Sequence, residues 1–344
     1  MPEVIALGDI NVDIIAHFPS YPAKGEDAVA HSTEIHCGGS AANTAIALAR
    51  MGIETGLIAR VGPDSWALKA LHCLNEAGVV PTSLQRDPAA MTGLMYVVVT
   101  PDGERTILGH RGANVFTDPD QIREEEIRGA MLLHLSGYAL LAEPQRSAAL
   151  LALEMACRHG LTITLDPGMS VPQAALDEMQ ALLPVVNILL PNLAEAKQLT
   201  GLSAPKDCVQ ALLEKGVQVV ALKLGREGCL VGSGNGLFRV PGFAVEARDS
   251  TGAGDSFAAG FIAGFLGGLG WISAAVLGNV LGAITAARVG AATAFPKARE
   301  VLALLGNHYL EPTHDQSLEV IRQVIDYVTT LATEPAEEGK PWWK

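Results

Sequence analysis

The stretch Asp249-Ser250-Thr251-Gly252-Ala253-Gly254-Asp255-Ser256-Phe257 follows a strand-like run and opens a long apolar segment typical of a buried helix. Its three small residues, 252–254, allow a sharp turn that leaves backbone N–H groups bare. A helix N-terminus adds free N–H groups and partial positive charge, which predicts a site for an anion such as phosphate. Asp255 lies just inside this site, where a carboxylate can take a proton from an attacking hydroxyl. The alternative is an N-cap with flexible residues before a buried helix.

Short apolar runs alternate with helix-length segments along the rest of the chain. Val4–Leu7 carries no polar residue, as is typical of a central parallel strand. A helix is predicted over 144–159, with Gly160 as its stop. This order predicts an α/β fold with a mostly parallel sheet and helices on both faces. The other predicted strands cover residues 56–61, 132–135, 161–165, 185–190 and 217–222. A further helix is predicted over 64–77, with Gly78 as its stop.

Polar residues follow the predicted strands, which marks one edge of the sheet as the working edge. Asp9, Asn11 and Asp13 alternate after the first strand, so an extended chain would place them on one face and favour a hydroxyl-rich ligand. Asx residues that only shape a turn are the alternative. Gly38-Gly39 lets a ligand approach the backbone, and Asn43 offers both a donor and an acceptor.

A hairpin is predicted between residues 91 and 110, with its turn at Pro101-Asp102-Gly103. Residues 14–37 contain no helix signal and only short β-prone pieces. Together the two segments could form a small β lid over the working edge. Arg111, at the end of the hairpin, is a candidate for contact with substrate or for a pair with a carboxylate.

Five landmarks in order make the chain resemble the ribokinase-like (PfkB) family of carbohydrate and nucleoside kinases, over roughly residues 3–305. The resemblance implies a three-layer α/β/α sandwich with a mostly parallel central sheet and a small β lid. It also implies transfer of the γ-phosphoryl group of ATP to a sugar hydroxyl. The landmarks are Gly8-Asp9-Ile10-Asn11-Val12-Asp13, Gly38-Gly39-Ser40-Ala41-Ala42-Asn43, Asn192-Leu193-Ala194-Glu195, Leu224-Gly225-Arg226-Glu227-Gly228 and the stretch quoted first.

Site residues follow from the resemblance together with the residue chemistry. Asp255 is the predicted general base, and the amides of Gly252, Ala253 and Gly254 are predicted to hold the phosphoryl group. Asn192 and Glu195 are predicted to position Mg²⁺ through water. Asp249 is a candidate ligand of a monovalent cation such as K⁺, although Ala294 stands where relatives often carry Ser. The predicted acceptor site comprises Asp9, Asn11, Asp13, Gly38, Gly39, Asn43 and Arg111. The predicted nucleotide site comprises Lys223, Gly225, Gly228, Thr251 and Asn279.

Composition excludes several other classes. A formal charge of −13 argues against a nucleic-acid surface. The apolar segment 257–271 is short and Gly-rich, which favours a buried helix over a membrane span. No signal peptide precedes the first strand. The five cysteines are odd in number and lack a C-x-x-C pair, so a disulfide framework or zinc site is not expected, and the predicted location is the cytoplasm. These cysteines are Cys37, Cys73, Cys157, Cys208 and Cys229.

The chain is divided into a kinase domain, 1–306, with its lid from about 14–37 and 91–112, and a C-terminal extension, 307–344. An apolar stripe at helical spacing runs through the extension. It is predicted to pack on the parent domain or on a partner subunit in a homodimer. Residues 334–344 are predicted to form a loose tail. The stripe consists of Leu318, Ile321, Ile325, Val328 and Leu331.

Three functions remain open. The first is a sugar kinase for a pentose or hexose. The second is a nucleoside kinase of the same family, with which Gly39-Ser40-Ala41 is compatible. The third is a catalytically silent sugar-binding relative, against which Asp255 and the Asn192/Glu195 pair argue. A Rossmann dehydrogenase is disfavoured because no G-x-G-x-x-G follows the first strand.

Overall fold

An eight-stranded sheet forms the centre of the protein in the computed structural model, which describes residues 1–102, 105–168, 173–290, 292–310 and 318–333. The described strands are β1 (Val4–Leu7), β2 (Asn11–His17), β3 (Ser32–Gly38), β4 (Thr55–Ile58), β5 (Arg60–Val61), β6 (Gln85–Arg86), β7 (Gly93–Val99), β8 (Arg105–His110), β9 (Leu132–Ser136), β10 (Thr162–Asp166), β11 (Ile188–Leu189), β12 (Val219–Lys223), β13 (Cys229–Ser233) and β14 (Gly236–Val240).

The described helices lie between and after these strands. They are α1 (Ser40–Arg50), α2 (Ser65–Ala77), α3 (Glu124–Arg128), α4 (Gln145–Arg158), α5 (Gln173–Leu182), α6 (Leu193–Thr200), α7 (Pro205–Glu214), α8 (Ala253–Leu266), α9 (Trp271–Ala286), α10 (Ala298–Leu310) and α11 (Leu318–Thr333). Local signals set their ends, as in α2, where the Asp64 carboxylate accepts from Ala67 N–H at 2.9 Å and Gly78 terminates the helix at φ 82°.

The central sheet has the strand order β14-β13-β12-β11-β10-β9-β1-β4. Strands β4, β1, β9, β10, β11 and β12 pair in parallel, and β13 and β14 extend the sheet antiparallel. The carboxyl ends of the parallel strands therefore share one edge. The predicted strand over 185–190 is reduced to Ile188–Leu189, because 183–185 adopts a 3₁₀ turn around Pro184.

Helices cover both faces of this sheet. Alternate residues of β1 enter opposite cores: Val4 and Ala6 pack with α1, α2 and α8–α11, while Ile5 and Leu7 pack with α3–α7. Because both faces are buried, the central strands read as continuous apolar runs. The predicted α/β fold with a mostly parallel sheet is confirmed.

A second sheet of four strands, in the order β3-β2-β7-β8, is called the lid sheet below. It is built from the two segments predicted to form the lid. β2 pairs antiparallel with β3 and parallel with β7, and β7 and β8 form the predicted hairpin. Asn11 and Asp13 therefore lie within the first strand of the lid sheet rather than in a turn.

The helices after residue 298 add to the core on one face of the sheet. α10 continues past residue 306, where the sequence analysis ends the kinase domain. α11 buries Ile321, Val324 and Val328 in the same core as α8 and α9. The Tyr327 hydroxyl donates to Ala263 O of α8 at 2.7 Å. Four of the five residues of the apolar stripe therefore pack on the parent domain, whereas Leu318 is 46% exposed. The predicted tail, 334–344, lies outside the described residues.

The cysteine prediction is wrong at one pair. Cys37 at the end of β3 and Cys73 in α2 form a disulfide, with their Cα atoms 6.5 Å apart. Their sequence separation of 36 residues gave no indication of this, because α2 meets β3 only through tertiary packing. Cys157, Cys208 and Cys229 are free. None of the helices in the described part of the chain is long and apolar enough to cross a membrane.

Candidate active site

The N-terminus of α8 forms a pocket of backbone N–H groups, called the anion pocket below. Gly252 caps the helix in the left-handed region, at φ 73°, and no side chain caps the helix there. Ala253 N–H donates to Ser250 O at 3.2 Å, and Ser256 N–H to Gly252 O at 2.8 Å. The other first-turn N–H groups and the helix dipole at this end suit an anion.

Asp255 stands in the first turn of α8 and is held by the first turn of α1. Ser40 Oγ donates to Asp255 Oδ1 at 2.9 Å, and Asn43 Nδ2 donates to Asp255 Oδ2 at 2.8 Å. Ser40 and Asn43 are three residues apart on one helix, so both reach the same carboxylate. This clamp fixes the carboxylate next to the anion pocket.

The surroundings of Asp255 favour a base that works near neutral pH. Burial and the nearby Asp166 carboxylate raise the pKa of Asp255 to about 6, against hydrogen bonds from Asn43 and Ser40 and the Lys223 charge. A carboxylate with this pKa is ionised at pH 7 and is more basic than an ordinary aspartate. It therefore suits proton abstraction from a hydroxyl.

Two buried oxygens near Asp255 are candidates for contact with the acceptor. Asp13 Oδ1 and Asn43 Oδ1 have no hydrogen-bond partner among the described residues. Burial, followed by the Asp255 and Asp249 charges, raises the pKa of Asp13 to about 7. Unpartnered buried polar atoms are costly, so these oxygens indicate a place for a ligand that carries hydroxyl groups.

Both glycines before α1 are required by close contacts. Gly39 has φ 94°, and a Cβ there would overlap Asp9 O. A Cβ on Gly38 would overlap the Asp13 carboxylate. The pair therefore lets the backbone approach the residues that line the cleft.

Asp9 and Arg111, both predicted for the acceptor site, form an ion pair with each other. Arg111 Nε donates to Asp9 Oδ2 at 2.8 Å, and Nη2 donates to Asp9 Oδ1 at 2.7 Å. Gln145 Nε2 also donates to Asp9 Oδ1, at 2.8 Å, and Arg111 Nη2 donates to Tyr138 O and Gln145 Oε1. Asn11 Oδ1 accepts from Asn114 Nδ2 at 2.9 Å. Asp9 and Asn11 thus have side-chain partners of their own, whereas Asp13 Oδ1 has none among the described residues.

A buried group of charges lies on the other side of the anion pocket. Lys223, at the end of β12, donates to Asp166 Oδ2 at 2.6 Å, and a Cβ on Gly254 would lie 3.5 Å from its Nζ. Burial alone would lower the pKa of Lys223, but Asp166 and Glu195 outweigh it and raise the pKa. Lys223 therefore stays charged beside the anion pocket.

Asn192 and Glu195 form a capping box at the start of α6. Glu195 N–H donates to Asn192 Oδ1 at 2.9 Å, and Asn192 N–H donates to Glu195 Oε2 at 2.7 Å. Burial raises the pKa of Glu195 to about 7, with Lys223 opposing and Asp166 adding to the shift. The described residues contain no cluster of three His, Cys, Asp or Glu side chains that could ligate a metal.

The predicted nucleotide residues other than Lys223 lie in the turn after β12, in the loop before α8 and in α9. Gly225 and Gly228 flank a 3₁₀ turn at φ 59° and 86°. A Cβ on Gly228 would overlap Val240 O. The Asn279 amide donates to Val240 O and Pro241 O, at 3.2 and 3.1 Å. The Thr251 hydroxyl donates to Asp249 Oδ1 at 2.6 Å.

The sequence analysis assigned no role to four residues that the structure brings to the site. Ser40 holds Asp255, Asp166 pairs with Lys223, Gln145 holds Asp9, and Arg105 contacts Asp249. Ser40 could have been found from its spacing of three residues to Asn43 on a predicted helix. No local signal marks Arg105 or Gln145, because each acts on a residue more than 100 positions away.

Comparison with known proteins gives consistent matches over most of the chain. A family model described as pfkB family carbohydrate kinase matches residues 1–298. The ATP-dependent ribose-1-phosphate kinase of Halopiger xanaduensis is 34% identical over 309 residues, covering 90% of this chain and 100% of the relative. The ribokinase of Haemophilus influenzae is 29% identical over 304 residues, covering 87% and 97%.

Solved structures agree with the fold described above. A ribokinase from Thermotoga maritima superposes with a TM-score of 0.78 at 24% identity, covering 89% of this chain and 100% of the other. A fructokinase from Vibrio cholerae, with fructose, ADP and calcium ion bound, superposes with a TM-score of 0.76 at 26% identity, covering 88% and 99%. These superpositions confirm the three-layer fold class predicted from the sequence.

Proposed function

We propose that this chain, which belongs to the pfkB family of carbohydrate kinases, transfers the γ-phosphoryl group of ATP to a hydroxyl of a small sugar. One observation carries the proposal. Asp255 lies in the first turn of α8, which also forms the anion pocket, and its carboxylate is held by hydrogen bonds from Ser40 and Asn43 of α1. A base and a phosphoryl-binding site therefore share one edge of a cleft, as transfer to a hydroxyl requires.

On the acceptor side, Asp13 and Asn43 would bind sugar hydroxyls through their unpartnered oxygens. Gly38 and Gly39 keep the backbone close to these side chains, and Asn11 lies on the same strand as Asp13. We assign Asp9 and Arg111 a supporting part in this site, because each is the other's main partner. Asp255 would take the proton of the hydroxyl that attacks the phosphoryl group.

On the donor side, the N–H groups of Gly252, Ala253 and Gly254 would stabilise the charge that spreads over the phosphoryl oxygens. Lys223 adds a full positive charge at Gly254. We assign the rest of the nucleotide to the Gly225–Gly228 turn, Thr251 and the region of Asn279, as the sequence predicts. The Halopiger relative is itself named as an ATP-dependent kinase, which supports ATP as the donor.

Magnesium fits the charge group beside the anion pocket. Asp166 and Glu195 are buried carboxylates near one another. Burial, with the Asp166 charge adding to it, raises the pKa of Glu195, so a cation nearby would favour its ionised form. Mg²⁺ keeps several waters and needs few protein oxygens, so Glu195, held by Asn192, would position it through water. When bound with ATP, the ion would neutralise charge on the phosphate oxygens.

A monovalent cation does not fit at Asp249 in this arrangement. Its two oxygens accept from Thr251, from Gly290 N–H and from the Arg105 guanidinium, so the carboxylate already has a positive partner. We therefore derive no catalytic role for K⁺ there. Cytoplasmic location and a homodimer stay predictions.

The charge of the anion pocket can be tested at Gly254, where a side chain has room. Outside α8 itself, a Cβ there would meet only Lys223 Nζ among the described residues, at 3.5 Å. Gly254→Asp places a carboxylate where phosphate would bind, and like charges about 4 Å apart repel by about 4 kcal/mol at an effective dielectric constant of about 20. We expect its Kd for ATP, measured by calorimetry, to exceed that of the isosteric Gly254→Asn by more than about tenfold. Equal Kd values for the two variants would count against the phosphate placement.

The clamp on Asp255 can be tested through the pH dependence of the rate. Ser40→Ala removes a hydrogen bond to the charged form of Asp255, so the pKa of the base rises further. We expect the acid limb of the kcat profile to move to higher pH, with a greater loss near pH 6 than near pH 8. Ser40→Thr, which keeps the hydroxyl, should restore the wild-type profile. An unshifted acid limb in Ser40→Ala would remove Ser40 from the control of the base.

The acceptor is best identified with a panel of sugars, scored by ADP release and by phosphorylated product. We favour a pentose of the ribose type, since the first relatives described above act on ribose or ribose 1-phosphate by name. The panel should include ribose, deoxyribose, fructose, ribose 1-phosphate and a set of nucleosides. A nucleoside as the best substrate would support the nucleoside-kinase alternative. Tight sugar binding with no ADP from any acceptor would support a silent relative instead.

A further inference from the structure

One arginine joins the lid sheet to the loop before α8. Arg105, the first residue of β8, donates from Nη1 to Asp249 Oδ1 and Thr251 Oγ1, and from Nη2 to Ser250 Oγ. These three partners are consecutive in sequence and immediately precede the Gly252 cap. The contact therefore links the lid sheet directly to the loop that enters the anion pocket.

Asp249 is the centre of this contact. Its Oδ1 also accepts from Thr251 N–H at 2.9 Å and from the Thr251 hydroxyl at 2.6 Å. Its Oδ2 accepts from Gly290 N–H at 3.0 Å, and its own N–H donates to Ala286 O at 3.1 Å. Asp249 thus ties the loop before the anion pocket to Ala286, the last residue of α9, through its N–H, and to Gly290 through its carboxylate.

Arg105 also provides the positive charge that faces Asp249. Their side chains are only 26% and 10% exposed, so solvent screens the pair less than it screens an exposed pair. Burial would raise the pKa of Asp249, but the hydrogen bonds from Thr251 and Gly290 and the Arg105 charge hold it below its ordinary value. Asp249 is therefore an ionised carboxylate whose counter-charge comes from the lid.

We propose that Arg105 is a positioning residue that couples lid closure to the shape of the anion pocket, an inference that rests on the kinase function proposed above. With the lid sheet against the core, the guanidinium holds Asp249, Ser250 and Thr251 together and fixes the backbone that leads into Gly252. When the lid moves away, these partners lose their common donor. The phosphoryl-binding amides are then fully ordered only while the acceptor is covered, which limits transfer to water.

A second consequence concerns monovalent cations. A cation bound at Asp249 would have to displace a guanidinium that makes three contacts there. We expect the wild-type rate to be the same in KCl, NaCl and tetramethylammonium chloride at equal ionic strength. Stimulation by K⁺ of more than about fivefold would overturn the role of Arg105 as the counter-charge of Asp249.

The main test compares Arg105→Ala with Arg105→Lys and with Arg158→Ala. Arg158 is an exposed arginine on α4 that also contacts two carboxylates, Glu124 and Glu154. For Arg105→Ala we expect kcat to fall about 10- to 100-fold, as for other misplaced reacting groups. ADP release should also exceed sugar phosphate. Arg105→Lys keeps the charge without the planar fork and should lie between wild type and Arg105→Ala. Arg158→Ala should match the wild type.

Chemical rescue separates loss of the guanidinium from general damage. Guanidinium chloride at low millimolar concentration should restore part of the kcat that Arg105→Ala loses, and should leave the wild type and Arg158→Ala unchanged. A variant that is merely destabilised would gain nothing, because guanidinium weakens folding. Absence of any rescue together with a lowered melting temperature would overturn the positioning role.

Backbone hydrogen exchange tests the coupling without any substrate. In Arg105→Ala we expect faster exchange in residues 249–255 and 105–110, and unchanged exchange in the central strands. Wild-type exchange in both segments, or an unchanged kcat and ADP-to-product ratio, would overturn the proposal. If the wild type phosphorylates no acceptor, the kinase function fails, while the exchange result still decides whether Arg105 orders this loop.

Discussion

Replacement of Asp255 by asparagine should lower kcat by about 10²–10⁴-fold, the usual contribution of a general base, while ATP binding persists. The side chain keeps its size and can still accept from Ser40, but it can no longer take a proton. The measurement is steady-state phosphorylation of the best acceptor in the panel, together with the Kd for ATP. A near-normal kcat with intact ATP binding would remove Asp255 from the mechanism.

The pH dependence of kcat in the wild type is a second test of Asp255 as the general base. The pKa of Asp255 is raised to about 6, so the active carboxylate is lost as pH falls below about 6. We expect kcat to fall on that acid side and to stay level from about pH 7 to 8. The residual activity of Asp255→Asn should lack this acid limb.

Folding stability offers the matching control, because the ionisation of Asp255 should raise kcat but lower the stability of the folded state. Because the folded-state pKa of Asp255 lies above its ordinary value of 3.8, its stabilising contribution is present at low pH and is lost as pH rises through about 6. The ionised residue thus opposes folding at pH 8. We expect the melting temperature of Asp255→Asn, relative to the wild type, to rise between pH 4 and pH 8. A falling difference would show that Asp255 is held for structural reasons.

The second large effect is expected from breaking the Asp9–Arg111 pair. Asp9→Ala should lower the free energy of unfolding by about 3–5 kcal/mol, because it leaves the Arg111 charge largely buried without its carboxylate. The side chains of Asp9 and Arg111 are 4% and 18% exposed. Urea denaturation at pH 7 is the measurement, with Arg158→Ala as the control for an exposed pair, where we expect about 0–1 kcal/mol.

A double variant isolates the pair itself. Asp9→Ala combined with Arg111→Ala should cost less than the sum of the single changes, because neither charge is then left alone. Additive losses would show that the two residues act independently. Asp9→Asn, which keeps the hydrogen bond from Gln145, also tests an acceptor role: a raised acceptor KM with unchanged stability would place Asp9 in the sugar site.

The sequence alone was sufficient for the order of elements and for the landmarks. The apolar runs predicted the central strands because strands buried on both faces carry no polar alternation, as Val4–Leu7 does. The end of α2 followed from Gly78, whose left-handed conformation is local. The β hairpin followed from its turn residues. Each of these features depends on neighbours a few positions away.

The contacts between landmarks could not be predicted in this way. The sequence placed Asp9, Asn11 and Asp13 on one extended face. In the structure Asp9 binds Arg111 and Asn11 binds Asn114. The odd number of cysteines argued against disulfides, so the Cys37–Cys73 disulfide was not predicted. Arg105 carried no signal at all, since its partners lie 144–146 residues away.

What the sequence determined by itself is therefore which segments form strands, helices and turns, and which residues carry useful chemistry. The tertiary structure alone decided which of those residues meet. Ser40, Asn43 and Asp255 converge because α1 and α8 pack on the same face of the sheet, more than 200 residues apart in the chain. The physical reason is that hydrophobic periodicity is local, whereas the pairing of strand ends and helix termini is fixed only when both faces of the sheet are buried.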